Sequence, residues 1–137
     1  MPNIVTITLN PALDKSISVP ELVPEKKLRA LSSKVEPGGG GINISRALKK
    51  LGVDSEAIIL SGGYTGKALE TLLHKEGVRF TAIDTVNDTR ENFVVFDEDK
   101  KLQYRFGMPG ENVSEKELGL LMQAIGNCMH ADYVVVS

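Results

Sequence analysis

The chain has 137 residues, 42% hydrophobic and 25% charged, with a formal net charge of −2. That length and balance fit one soluble globular unit. The charge excludes the basic face that nucleic acid demands, and no apolar run nears the ~20 residues of a membrane span. One cysteine, Cys128, excludes an internal disulfide and fits a cytoplasmic location. The N-terminus lacks the basic start and apolar stretch of a signal peptide.

The elements follow in chain order. Residues 4–9 are β-branched and bounded by Pro2 and Asn10-Pro11, which predicts a buried strand. "NPALD" (10–14) reads as a turn, "KSISV" (15–19) as a weak strand and 20–27 as loop. Residues 28–36 read as a strand, because they run into Pro37 and four glycines. Beyond these, Ile42, Ile44, Ala47, Leu48 and Leu51 form a helical stripe stopped by Gly52. A strand over 55–60 follows, then a helix capped by Thr65 and ending at Gly77, then a strand over 79–84.

This alternation predicts a parallel sheet with crossover helices. Residues 91–107 interrupt it as a hairpin turning at Asp97 to Lys101. Leu102, Tyr104 and Phe106 share one of its faces, and Gln103 and Arg105 the other. The hairpin reads as part of a lid, with which the strands near 15–19 and 28–36 can pair. Ser114 and Glu117 have the spacing of a capping box before a stripe of Leu118, Leu121, Met122, Ile125 and Met129. The strand "DYVVVS" (132–137) comes last. Chemistry in such sheets lies just past strand ends, so a chain stopping there is expected to be a fragment.

Two motifs fail. "SGGYTGKA" resembles a phosphate-binding loop but has Ser61 where glycine is needed and Ala68 where a hydroxyl must bind Mg²⁺. "GGGGIN" would put Asn43 at the third glycine of a dinucleotide fingerprint. What remains is glycine backbone at a helix N-terminus, with Asn43 one turn in. It reads either as a close approach to a polar ligand or as a flexible connector. Asp14 reads as a ligand-side carboxylate or as an ordinary turn aspartate. Arg90 and Arg105 can converge on a phosphate, or lie as solvated charges on a strand edge. His74 and His130 are isolated, and no metal cluster is visible.

Together the stretches "TLNPALD" (8–14), "EPGGGGINISRALKKLG" (36–52), "GGYTGKALETLL" (62–73), "TREN" (89–92) and "YRFGMPG" (104–110) resemble the N-terminal part of the ribokinase-like PfkB carbohydrate kinases. The resemblance is strongest to the branch acting on sugar phosphates: 6-phosphofructokinase, fructose-1-phosphate kinase and tagatose-6-phosphate kinase. It implies an α/β fold with lid segments at about 15–36 and 89–107 inserted in a substrate-binding part spanning residues 1–137. It further implies that Asp14 holds sugar hydroxyls and that Gly38, Gly39 and Asn43 line the sugar pocket, the glycines making room for the ring. Arg90 and Arg105 would meet the substrate's phosphate, with Lys27 added from the lid loop, from a neighbouring subunit in one arrangement. A homodimer clasped through the lid is implied, burying Leu102, Tyr104 and Phe106. ATP and Mg²⁺ would be cofactors, with their sites and the catalytic aspartate downstream of residue 137, so this chain alone is expected to be inactive. The alternative is a non-catalytic truncated module that dimerises through its lid and at most binds sugar phosphate.

Overall fold

The computed structural model of the protein describes residues 1, 3–128 and 130–137. Pro2, expected to bound the first strand, and Met129, expected in the last helical stripe, lie outside them. The described elements are β1 (Ile4–Thr8), β2 (Ala12–Val19), β3 (Ser32–Gly38), α1 (Gly40–Lys50), β4 (Ser55–Gly62), α2 (Gly63–Lys75), β5 (Arg79–Thr85), β6 (Arg90–Asp97), β7 (Leu102–Phe106), α3 (Glu115–Gly126) and β8 (Tyr133–Val136).

The first sheet has the order β5-β4-β1-β8 and is parallel throughout. Strand β4 explains why the helices cover both of its faces. Side chains alternate along a strand, and here both faces are apolar. Ala57 and Ile59 pack with Ile42 of α1 and Leu69 and Leu73 of α2. Ile58 and Leu60 pack with Val5, Ile7 and Leu121 of α3. A short continuous apolar run is what a parallel strand between helix layers requires.

The second sheet has the order β3-β2-β6-β7. The β6–β7 pair is the expected hairpin, and β2 joins it in parallel. Several expectations need correction. The turn after β1 is shorter than "NPALD": β2 begins at Ala12, so Asp14 is a strand residue. Thr65 does not cap α2, which starts at Gly63; its hydroxyl donates to the Thr89 carbonyl at 2.6 Å. The third strand begins at Ser32, four residues later than expected. On α1 the buried side is Gly41, Ile42 and Ser45, while Ile44 and Leu51 are exposed. The Ser45 hydroxyl lies between those of Thr6 and Ser55, at 2.8 and 2.9 Å, so a polar residue occupies a core position by being fully bonded. On α3 Leu121 is buried but Leu118 and Met122 are exposed.

The capping box at α3 is present as expected, with Glu117 N–H donating to Ser114 Oγ and Ser114 N–H to Glu117 Oε2. Glu117 also accepts Val86 N–H at 2.8 Å, which ties the β5–β6 connection to the helix. That backbone bond, the largest cause, and the bond from Ser114 hold the Glu117 carboxyl below its usual value of 4.5. A depressed carboxyl stabilises the fold above its unfolded pKa, and the benefit is lost as pH falls through the folded one. Glu117→Gln is therefore expected to lower the thermal midpoint at pH 7, since the two N–H groups meet different carboxylate oxygens and the amide puts a donor NH2 in place of one of them. The gap to wild type should close as pH drops below 4.5, in calorimetric scans across the range.

Candidate functional site

The site grows from the junction between the two sheets. Helix α1 has no side-chain cap of its own, and its N-cap is Gly39 at φ 124 and ψ 144, a region open to glycine. A residue of β1 bonds it instead: Ile42 N–H donates to Thr8 Oγ1 at 3.0 Å. The first intrahelical bond runs from Asn43 N–H to the Gly39 carbonyl. The N–H groups of Gly40 and Gly41 thus lack intrahelical acceptors, as at any helix start. Asn43 itself is exposed on the helix.

The glycine run is explained first by the protein's own packing. A Cβ on Gly38 would collide with the Asp14 carboxylate, one on Gly39 would lie 2.6 Å from Thr8 Cγ2, and one on Gly41 would lie 3.1 Å from the Ile7 carbonyl. At Gly38, Gly39 and Gly41 the missing side chains make room for β1 and β2, whatever a ligand adds.

The register of the second sheet sorts its polar groups. In the β2–β6 pair, Ala12 lies beside Arg90, Asp14 beside Asn92 and Ser16 beside Val94, while Arg105 of β7 is opposite Val94. Asp14 is also opposite Glu36 of β3. One face therefore carries Asp14, Glu36, Arg90, Asn92, Gln103 and Arg105. Asp14, Glu36, Asn92, Gln103 and Arg105 line a basin of 330 Å³, within the range of small-molecule sites.

Asp14 is oriented within this basin. Asn92 Nδ2 donates to its Oδ1 at 3.1 Å, and Met108 N–H donates to Asn92 Oδ1 at 3.0 Å. The two arginines differ. Arg105 makes no hydrogen bond or ion pair among the described residues and lines the basin. Arg90 donates to the carbonyls of Asn10 and Met108, each at 3.0 Å. It lines a separate 40 Å³ cavity beside Asn10, Pro11 and Thr89, and its Nε is buried without a partner. The structure thus puts both arginines on one sheet face but not in one cavity. Lys27 is exposed in the connection between β2 and β3 and lines no part of the basin.

Glu36 is fixed by Lys34 and by Arg46 of α1, at 3.1 and 3.3 Å, and Arg46 also bonds Glu76 at 2.6 Å. The bond to Lys34 is the largest cause holding the Glu36 carboxyl below its usual value; burial opposes it and the bond to Arg46 adds to it. Sequence reasoning missed Asn92 and Thr89. Thr89 exchanges bonds with Gly62 and accepts from Thr65, which ties β6 to α2. The period of two from Arg90 already pointed to Asn92.

Solved structures contain this architecture. The chain superposes with a TM-score of 0.92 and 39% identity on phosphofructokinase-2 from Escherichia coli in complex with fructose-6-phosphate, covering 100% of this chain and 45% of that one. The fold is that of the ribokinase-like kinases. Residues 4–137 match the pfkB family carbohydrate kinases, and the chain belongs to that family. It is 39% identical over 137 residues to the ATP-dependent 6-phosphofructokinase isozyme 2 of Escherichia coli, covering 44% of that relative. It is 33% identical over 134 residues to the 1-phosphofructokinase of Borreliella burgdorferi, covering 43% of it. The chain thus spans under half the length of these relatives.

The packing at Gly38 gives a direct check. Gly38→Ala is expected to push the Asp14 carboxylate aside and to destabilise the fold by about 1–3 kcal/mol, measured by urea unfolding. Asp14→Ala in the same background should recover part of that loss, because it removes the atoms with which the new methyl collides.

Proposed function

We propose that this chain holds the acceptor sugar phosphate of an ATP-dependent phosphotransfer reaction, as the acceptor-binding part of a ketose-phosphate kinase. Fructose 6-phosphate, fructose 1-phosphate and tagatose 6-phosphate are the candidate substrates. The observation that carries this reading is the Asp14–Asn92 pair in a polar basin that the guanidinium of Arg105 also lines.

Each residue has a role in this reading. Asp14 accepts hydrogen bonds from the sugar hydroxyls and orients them. Gly38 and Gly39 bring backbone rather than side chain to the ring, and Asn43 can donate and accept from the first turn of α1. Arg105 meets the substrate's phosphate with a planar fork of donors. Arg90 supports the phosphate end from the base of β6, with the N–H groups that its two carbonyl bonds leave over. Lys27 adds positive charge from the exposed loop, supplied by a second copy of the chain.

ATP would supply the transferred phosphoryl group, and Mg²⁺ would accompany it. Among the described residues, no three His, Cys, Asp or Glu side chains come together as a metal site. The residues here do not by themselves fit the ion. What they provide is positioning of the acceptor, which is a large part of what a protein contributes to phosphoryl transfer.

The second sheet would act as the lid and as the contact between two copies. Its other face carries Val35, Phe93, Leu102, Tyr104 and Phe106, at 43, 36, 50, 38 and 52% exposure. Leu102, Tyr104 and Phe106 are therefore not buried within one chain, and with Phe93 they form an exposed apolar patch across β6 and β7 of the kind that marks an interaction surface. Phe106→Asp is expected to shift a dimer to monomer in sedimentation experiments. A species of the same mass with and without the substitution would remove the clasp from the proposal. That clasp is also the content of the second reading, a dimerising module without catalysis.

Titration calorimetry tests the sugar-phosphate reading. Fructose 6-phosphate, fructose 1-phosphate and tagatose 6-phosphate are compared with free fructose. Arg105→Ala should weaken the phosphate esters about 10- to 100-fold, the loss of one or two charge-assisted bonds. Free fructose should be unaffected. Equal losses for esters and fructose would contradict the phosphate role of Arg105.

A further inference from the structure

We propose that Asn92 is a positioning residue for sugar recognition: it holds Asp14 Oδ1 through its amide N–H, so that Oδ2 is left to select the sugar hydroxyls. This rests on the sugar-phosphate reading of the basin. The amide cannot be turned the other way. Met108 N–H is only a donor, so the group it meets at 3.0 Å must be the amide oxygen. The amide nitrogen then faces Asp14 Oδ1, at 3.1 Å.

Without that donor Asp14 has no fixed direction. A carboxylate on a strand rotates about its terminal torsion, which is broad. Gly38 limits how far Asp14 can move on one side, since its backbone lies against the carboxylate. Asn92 limits it on the other, from the neighbouring strand β6. The same amide also ties Asp14 to Met108, just beyond the strand that carries Arg105. A hydroxyl-binding group and the exit of the phosphate-binding strand thus share one anchor.

Asn92→Asp makes this testable, because it exchanges the amide for a group that donates only when protonated. Two carboxylates at this separation do not both ionise freely, so the pair retains a proton to higher pH. The charged groups facing the pair are Lys34 and Glu36 of β3, Arg90 of β6 and Arg105 of β7. Helix α1 adds its N-terminal N–H groups and Asn43, with no charged side chain before Arg46. The guanidiniums stay charged, and Glu36 is held ionised by Lys34 and Arg46. Loss of the shared proton is then the change that matters. With the proton, the introduced carboxyl donates to Asp14 as the amide does; without it, the two carboxylates repel.

The experiment is binding of fructose 6-phosphate, fructose 1-phosphate and tagatose 6-phosphate to wild type, N92A and N92D from pH 5 to 8. Each affinity is expressed relative to wild type at the same pH. That ratio removes the titration of the phosphate ester, whose second pKa is about 6. N92A is expected to bind about 10-fold more weakly at every pH. N92D should be at least about 10-fold weaker at pH 8 and recover to within about threefold at pH 5. Thermal unfolding alongside monitors the fold. If N92A does not fold, the ratio of N92D to wild type across pH gives the same test. A ratio for N92D that is flat with pH, or N92A binding like wild type, overturns the inference and leaves the sugar-phosphate reading standing. Wild type binding none of the three esters overturns both.

Discussion

The arrangement depends on one close approach, where the backbone of residues 38–41 passes between two sheets. Gly38 lies against Asp14, Gly39 against Thr8 and Gly41 against the Ile7 carbonyl, so three strand residues crowd one short segment. Thr8 then bonds the N–H of Ile42, the work a Ser or Asp cap would usually do. A cap from outside the helix fixes where the helix starts relative to the first sheet. It leaves the N–H groups of Gly40 and Gly41 without intrahelical acceptors. A larger residue at 38, 39 or 41 would separate α1 from β1 or push Asp14 away. The helix start is held in place by sterics, and the carboxylate is confined on the Gly38 side, before any ligand is considered.

A second constraint is the stretch 89–92, which alternates between holding the sheets together and equipping the basin. Thr89 bonds Gly62 and Thr65, and Arg90 bonds Asn10 and Met108. Glu91 turns to the other face, where it pairs with Lys15 at 3.1 Å. Asn92 returns to the basin face and meets Asp14. The period of two gives the second sheet one face that carries the basin's polar groups and another that carries most of its exposed apolar side chains, with the Lys15–Glu91 pair among them. In a sheet that covers a polar ligand with one side and meets a partner with the other, both faces must be specified. A one-residue slip of register would exchange them.

Much of this was legible in the sequence, and the failures have physical causes. The parallel order, the hairpin and the capping box at Ser114 followed from periodicity and local chemistry, which act within a few residues. The stripe on α1 was misread because Ser45 is buried in a chain of hydroxyls with Thr6 and Ser55. Both partners lie outside the helix, so a polar letter looked like the solvent side. Asp14 looked like a turn residue because Pro11 marks a turn, yet β2 pairs from Ala12 with strands far along the chain. The glycines read as room for a ligand or as a flexible connector, and the structure adds a third reason. That reason is contact with Thr8, Asp14 and Ile7, which no local pattern announces.

The two arginines show how the same residue type divides its work. A guanidinium carries five N–H donors in a planar fork. Arg90 uses two of its nitrogens on backbone carbonyls, and so fixes the turn after β1 against the segment after β7. A group so engaged is preorganised and costs little further entropy when an anion arrives, but it has fewer donors to offer. Arg105 is the reverse: unpaired among the described residues, exposed, and on the short edge strand. It can move to an anion and donate in bidentate fashion, but must be ordered as it does so. Under the sugar-phosphate reading, such a division would set the anionic group toward Arg105 at the outer edge and the hydroxyls toward Asp14, which Asn92 and Gly38 confine. A phosphorylated sugar has that polarity of shape, and a free sugar leaves Arg105 without a partner.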